Sequence, residues 1–411
     1  MDTETLVKFA EGQLSHSNGE LAVFRKKYLE LFKTEGIYQD LEGYKFTSLK
    51  SFNQIVAQSD KKTEVLQRPS EDFINLTFIN GVLQESDKKI DGLIITSIEN
   101  SLPLVLSTLN TKNPLTNLHH ALLSNGAVIE IQKNKKIEKP LRIFSLSSND
   151  NFQGQTIIIK AGVNSQATIM EVIEDGEIAR TFIQETYVVV ENGANVEHIQ
   201  VLANGNQSVV HSSTQVKVQA SANYTNFTLN LSGKLNRRNL ELELIGSGAN
   251  GESYNLYLTN NNEHSDINTI IHHRVADTTS NQIAKGILDG ESKGIFTGRI
   301  HILPQAQRVV SGQMNKNLIL SKKAQAHSQP QLEIFADDVK CSHGSTTGQL
   351  SDEEVFYFET RGIPAKKAKT LLALGFGLEI VLKIHDKTTR EEIEKMVMTT
   401  LKDKFQLTGV K

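Results

Sequence analysis

The chain has 411 residues, 44 lysines and arginines against 47 aspartates and glutamates, and a formal net charge of −3. That balance excludes the basic footprint of a nucleic-acid binder, and with 38% hydrophobic residues a packed core is expected rather than disorder. One cysteine excludes an internal disulfide, no apolar run reaches the length of a membrane span, and the polar start Met1-Asp2-Thr3-Glu4-Thr5 lacks a signal-peptide core, so a cytoplasmic location is the expectation.

Residues from about Glu4 to Glu35 predict helix. Leu6, Phe9 and Leu14 recur at roughly helical spacing, as do Leu21, Phe24, Tyr28, Leu31 and Phe32. Gly36 is a suitable stop. The aromatic stretch from Gly36 to Thr47 reads as a loop that packs this cap onto the next layer. Ile74 to Val82 alternates like a strand and ends in Asn80-Gly81, a hairpin signal. Leu102 to Leu109 is a mixed segment, and His119-His120-Ala121-Leu122-Leu123 predicts a short helix. Adjacent histidines on a helix point to different faces, so His119 and His120 are read as structural.

From about Gly126 to Glu333 short β-rich runs follow one another without an ordinary helix. They include Leu141–Leu146, Thr181–Val190, Val209–Val218, Gln282–Leu288 and Ile295–Ile302. The breaks are small and polar: Ala161-Gly162-Val163-Asn164, Asn192-Gly193-Ala194-Asn195, Ala220-Ser221-Ala222-Asn223 and Ser247-Gly248-Ala249-Asn250. They recur at 27 to 31 residues, a solenoid period with room for two strands in each interval. A β-helix is the expected core, with Asn223 and its counterparts as left-handed corner residues. The exposed end coils of such a solenoid need covers, and the two helical termini are natural ones.

After Gln349-Leu350 helices return. Ser351 with Glu354 reads as an N-cap and capping box. Gly362 stops one helix and Pro364 opens the next, which carries Lys366, Lys367 and Lys369 and is expected to break at Gly375-Phe376-Gly377. Thr389 opens a last amphipathic helix. Three regions follow from this reading: 1–125 a helical and mixed cap, 126–350 the β-helix core, and 351–411 a C-terminal helical domain.

The junction between strands and helices holds the chemistry: Asp337-Asp338-Val339-Lys340-Cys341-Ser342-His343-Gly344. A thiol and an imidazole at i and i+2 point the same way on an extended backbone, because side chains alternate faces. Cys341 and His343 can then face one partner or one metal, yet two donors make at most half of a metal site. The rest must come from elsewhere in the chain or from another subunit. Read without context, a lone cysteine is most often a small buried hydrophobe and such a histidine a turn residue. There is no P-loop and no His-Glu-x-x-His. A single thiol cannot hold an iron–sulfur cluster alone. His272 and His273 face opposite ways on a strand, so at most one lies in the core.

The block from Pro330 to Leu350, with Phe356-Tyr357 and Arg361-Gly362-Ile363-Pro364, resembles the SufB/SufD family of iron–sulfur assembly scaffolds. His272-His273-Arg274, Ser280-Asn281-Gln282, Lys285-Gly286 and Gly298-Arg299-Ile300 look like that family's late coils. Tyr44-Lys45-Phe46-Thr47 is similar to its Trp-Lys-Tyr-Thr segment, with tyrosine in place of tryptophan. The SufD type is the better likeness, because the SufB type is longer, richer in cysteine and has a Glu-His-Glu-type sequence at the Cys341-Ser342-His343-Gly344 position. The resemblance implies a mainly β fold, a right-handed parallel β-helix flanked by helical regions. It implies a non-catalytic subunit that pairs with SufB through the β-helix and docks the SufC ATPase on the C-terminal helices. It also implies an iron–sulfur cluster assembled transiently at the SufB interface, with His343 favoured as its ligand and Cys341 less so, and no cluster held stably by this chain alone. Homodimer formation without SufB stays open, as do two other readings: a structural scaffold without a cluster residue, and a β-helix enzyme acting on a polysaccharide.

Overall fold

The computed structural model describes residues 3–14, 19–36, 45–47, 70–79, 82–84, 90–109, 114–123, 126–146, 153–174, 180–205 and 207–405. The chain opens with helices α1 (Thr3–Leu14) and α2 (Gly19–Glu35), and Gly36 stops α2 with φ 64°. Strands β1 (Ile74–Ile79), β2 (Val82–Leu83) and β3 (Leu93–Ser97) follow, then helices α3 (Leu102–Thr108) and α4 (Pro114–Ala121). β1 and β2 pair antiparallel, as the hairpin signal predicts, although Asn80 and Gly81 themselves lie outside the described residues.

The solenoid then rises as eight strand pairs. They are β4 (Gly126–Ile131) with β5 (Leu141–Leu146), β6 (Gln153–Ala161) with β7 (Gln166–Glu174), β8 (Thr181–Val190) with β9 (Asn195–Ala203), and β10 (Val209–Val218) with β11 (Asn223–Ser232). Next come β12 (Leu235–Leu244) with β13 (Asn250–Thr259), β14 (His264–His273) with β15 (Thr279–Leu288), β16 (Lys293–Ile302) with β17 (Val309–Ile319), and β18 (Gln325–Ile334) with β19 (Val339–Gly348). Odd strands from β5 to β19 stack in a ten-stranded sheet that β1 and β2 complete. Even strands from β4 to β18 stack in a nine-stranded sheet that β3 completes. All stacking within the solenoid is parallel and nearly in register, so the fold is the parallel β-helix the sequence predicts.

Polar runs hid β17, β18 and β19 from the periodicity reading. Their interiors carry Gln313, Asn315, Asn317 and Pro330, residues of low strand propensity. Pro330 is tolerated because β18 is an edge strand.

The turns correct one expectation. Left-handed backbone falls on Asn134, Asn164, Gly193, Ser221, Gly248, Asp277 and Arg308, at intervals of 27 to 31 residues. Asn164 is left-handed as expected, but its counterparts Asn195, Asn223 and Asn250 instead begin strands, and the Asn223 N–H donates to the Ala194 carbonyl. The reason is positional: the tight corner needs positive φ in mid-turn, two residues earlier. At each corner that residue's N–H donates to the turn of the next coil, as Gly193 does to Ala220 at 3.0 Å and Ser221 to Ser247 at 3.0 Å.

Between the sheets lie an apolar margin and a polar column. Ile129, Ile157, Val188, Val216, Leu242 and Ile271 build the margin. Inside the coils of β7 to β11, Glu171 is buried beside His198, with His198 Nε2 3.2 Å from its Oε1. Gln200 donates to Glu171 at 2.9 Å and Thr186 at 3.1 Å, while Tyr224 lies 2.7 Å from His198 Nδ1. Burial raises the Glu171 carboxyl, but the His198 charge and the bonds from His198, Gln200 and Thr186 together hold it below its ordinary value.

Helices α5 (Asp352–Glu359), α6 (Ala365–Val381) and α7 (Lys387–Lys404) close the described chain. Ser351 caps α5 by accepting from the Glu354 N–H, and Gly362 with φ 75° ends the turn before Pro364. α6 runs unbroken through Gly375-Phe376-Gly377, against the expected break. Gly377 is buried, and a β-carbon there would touch Ile287, Leu256 and Val397, so close packing compensates the low helix propensity of glycine. Nor do the helices act simply as end covers. α6 and α7 lay Ile380, Val381, Ile393 and Val397 on the outward face of the ten-stranded sheet, against Leu256, Leu258 and Ile287. α1, α2 and α4 pack on Ile183, Val209 and Leu235 on the outer face of the nine-stranded sheet. Lys285, buried on β15, ties α6 down: its Nζ donates to the Phe376 carbonyl at 2.9 Å and Glu379 at 2.6 Å.

Candidate functional site

The two ends of the solenoid differ. At the first coil, antiparallel β2 and β3 finish the sheets. At the last coil, β18 and β19 each have one neighbour, and their other edges pair with no strand among the described residues. Not one residue of these two ten-residue strands is buried.

Cys341 and His343 lie on β19, on the side that faces the solenoid interior. Register fixes this: Ser311 opposes Cys341 and Gln313 opposes His343, and both β17 residues are buried. One coil deeper, Ser280 and Gln282 occupy the same positions. Ser280 and Ser311 hydroxyls are 2.6 Å apart, and Gln313 donates to Gln282 at 2.5 Å. Cys341 thus continues a hydroxyl column and His343 an amide column. Gln313 Oε1 is buried without a partner. His343 is exposed because no coil lies above it, whereas Cys341 is half-buried against Ile300, Ile302 and Val309.

Burial pushes the Cys341 thiol up, against a hydrogen bond involving the Ser311 backbone, so it stays a protonated thiol at neutral pH. The exposed imidazole is the readier donor. Cα atoms at i and i+2 on a strand are about 6.7 Å apart, so the two side chains reach separate corners of a cluster rather than chelating one ion tightly. Among the described residues no three metal-ligating side chains converge. Ser345 of β19 bonds Ser328 of β18 at 2.8 Å and ties the end coil across its width. Gly344 lies over the Met314 thioether. Ile334 and Phe335 at the same end are exposed, Phe335 at 60%. Sequence reasoning placed Ile334, Phe335, Gly344 and Ser345 in the motif block without a separate role for each, and did not single out Met314 or Ser328.

The other residues singled out from sequence sort cleanly. His273 is buried between Thr278 and Ser280, while His272 faces outward, as strand alternation requires. Burial holds the His119 imidazole far down, at about 3, where it bonds Thr156; His120, also depressed by burial, bonds Tyr187. Both are structural. Lys366, Lys367 and Lys369 are exposed on α6, and Phe356 and Tyr357 are exposed on α5. Of the aromatic loop, residues 37–44 lie outside the described residues. Phe46 stacks on His327 of β18 at 4.8 Å, and Thr47 bonds Asp266 of β14, so the segment reaches the late coils rather than the adjoining layer.

Fold and site together define a β-solenoid whose last coil, unpaired by any strand among the described residues, carries a thiol and an imidazole on one side. The chain belongs to the SufBD core family: residues 144–376 match the domain described as SUF system FeS cluster assembly, SufBD core domain. A SufBD family protein of iron–sulfur cluster assembly from Synechocystis is 29% identical over 286 residues, covering 66% of this chain and 62% of that one. The iron–sulfur cluster assembly protein SufD of Escherichia coli is 28% identical over 230 residues, 56% of this chain and 54% of its own length. A chloroplastic protein of Arabidopsis thaliana is 28% identical over 289 residues, 66% and 59%. The match therefore spans a little over half the length of these relatives. Among the described residues no helix is long and apolar enough to cross a membrane.

Proposed function

We propose that this chain is a SufD-like, non-catalytic subunit of a scaffold that assembles iron–sulfur clusters, and that its end coil is where it pairs with SufB. The unpaired edges of β18 and β19 carry this reading, because two exposed ten-residue edges side by side are a ready template for pairing with another chain. Family membership supports the role in cluster assembly. The nascent cluster is cargo, held between His343 and donors supplied by SufB. Cys341, protonated and half-buried, contributes less.

In this reading residues 1–125, 126–350 and 351–411 act as cap, β-helix core and ATPase-docking domain. SufC sits on the exposed side of α5 and α6, near Phe356, Tyr357 and Lys366. ATP-driven closure of a SufC pair then moves helices that are anchored to the ten-stranded sheet through Lys285. Such coupling requires that SufC bind the two arrangements with different affinity.

The experiment is co-expression with SufB and SufC, followed by iron and sulfide analysis of the purified complex. His343→Ala is expected to leave the melting temperature and all three subunits in place and to cut cluster content to a small fraction of wild type. Cys341→Ala is expected to do less, because a methyl group replaces a small thiol. Normal cluster content in His343→Ala would make the chain an inert scaffold. Failure to co-purify with SufB would sink the pairing itself.

A further inference from the structure

On the outer face of the nine-stranded sheet, away from the end-coil columns, two metal-binding side chains meet. His272 of β14 and His301 of β16 are direct partners in parallel register. Their Nδ1 atoms are 3.1 Å apart, with the rings nearly perpendicular at 88°. On its far side His272 Nε2 lies 3.0 Å from Glu241 Oε1. Glu333 is the neighbour of His301 on β18, where it pairs with Arg299 at 3.3 Å. Glu243, the neighbour of His272 on β12, is bound to Arg274. Phe335 packs edge-on against His301.

Proton placement makes this pair more than a contact. In the neutral ring the nitrogen facing a carboxylate carries the hydrogen, so Glu241 fixes the His272 tautomer with a bare lone pair on Nδ1. Two imidazole nitrogens on one tetrahedral ion, each about 2.05 Å from it, stand about 3.3 Å apart, within a few tenths of the observed separation. A carboxylate on the far nitrogen of a ligating histidine is the outer-shell arrangement that orients such ligands.

We propose that His272 and His301 form a surface site for a divalent transition-metal ion of the zinc type. Glu241 orients His272, and solvent completes the shell. The site lies on the outward face of β14 and β16 and does not depend on His343, Cys341 or a partner chain.

The test is a calorimetric titration of the chelator-stripped full chain with Zn2+, each variant checked first by circular dichroism and a thermal melt. Wild type and His343→Ala are expected to bind one ion at this site with equal affinity. His272→Ala and His301→Ala are each expected to weaken it at least tenfold, and Glu241→Gln by about 10- to 100-fold. His301→Gln keeps a polar group opposite His272 and stands in should the alanine variant not fold. Zn2+ should also raise the melting temperature of wild type but not of the two histidine variants. No Zn2+ binding to wild type, or identical isotherms for wild type and both histidine variants, would overturn the proposal and leave a simple N–H···N bond between the rings.

Discussion

His198→Ala is the substitution that most directly probes the polar interior. The imidazole is fully buried, touches the Glu171 carboxylate at 3.2 Å and meets the Tyr224 hydroxyl at 2.7 Å. Removing it strands a buried carboxylate that keeps only Gln200 and Thr186, a loss of about 3–5 kcal/mol. That is a large part of the stability of an ordinary domain. Glu171→Gln, which is close to isosteric and removes the charge, is expected to cost less, about 1–2 kcal/mol. The double variant should then lose less than the two singles together, by at least about 1 kcal/mol, because the stranded charge is gone. The assay is urea unfolding followed by far-ultraviolet circular dichroism, the chain having no tryptophan. Acidity gives a second check. A carboxyl held below its unfolded value contributes stability that is present above about pH 4.5 and lost as pH falls through the folded value. Glu171→Gln should therefore flatten the acid limb of the stability curve. A His198→Ala loss within about 1 kcal/mol, or strictly additive variants, would refute the reasoning.

Gly286→Ala should destabilise by about 1–3 kcal/mol in the same urea assay, since a β-carbon there would run into the Tyr257 ring and crowd Asn317 Oδ1. A wild-type midpoint would mean that the Tyr257 ring gives way freely. Lys285→Met should loosen α6 by about 1–2 kcal/mol. The charged donor to the Phe376 carbonyl is the main loss, because Glu379 is two-thirds exposed and its pairing counts for little. Limited proteolysis should then cut faster between 352 and 405 while the β-helix spectrum holds; unchanged cleavage would show that the apolar contacts of α6 suffice.

The solenoid was legible because its turns repeat Gly-Ala-Asn signals at one spacing, and a repeat needs no knowledge of packing. Two features resisted for identifiable reasons. The left-handed corner was placed on Asn223 because asparagine tolerates positive φ, whereas the backbone puts the corner on Ser221, a residue without that preference. The strands β17 to β19 were masked by inward polar residues such as Gln313 and Asn315, whose amide N–H groups find acceptors on the neighbouring coil only after folding. For the site, the i, i+2 spacing of Cys341 and His343 was visible, and register confirms their common side. Their difference in exposure was not, because it depends on where coils stop. The meeting of His272 and His301 follows from one number, their separation of 29 residues, which is a single coil.

The placement of α6 and α7 has a mechanical side. A solenoid coil touches only its neighbours, so a bare β-helix shears and twists like a stack of plates. The helix pair lies across β11, β13 and β15, strands spaced about 4.8 Å apart, and fastens three coils at once. It works as a splint: a load applied to the helices is shared by several coils instead of opening one gap. Bending is resisted beneath the splint, and a pull on α6 is delivered to the sheet as a whole.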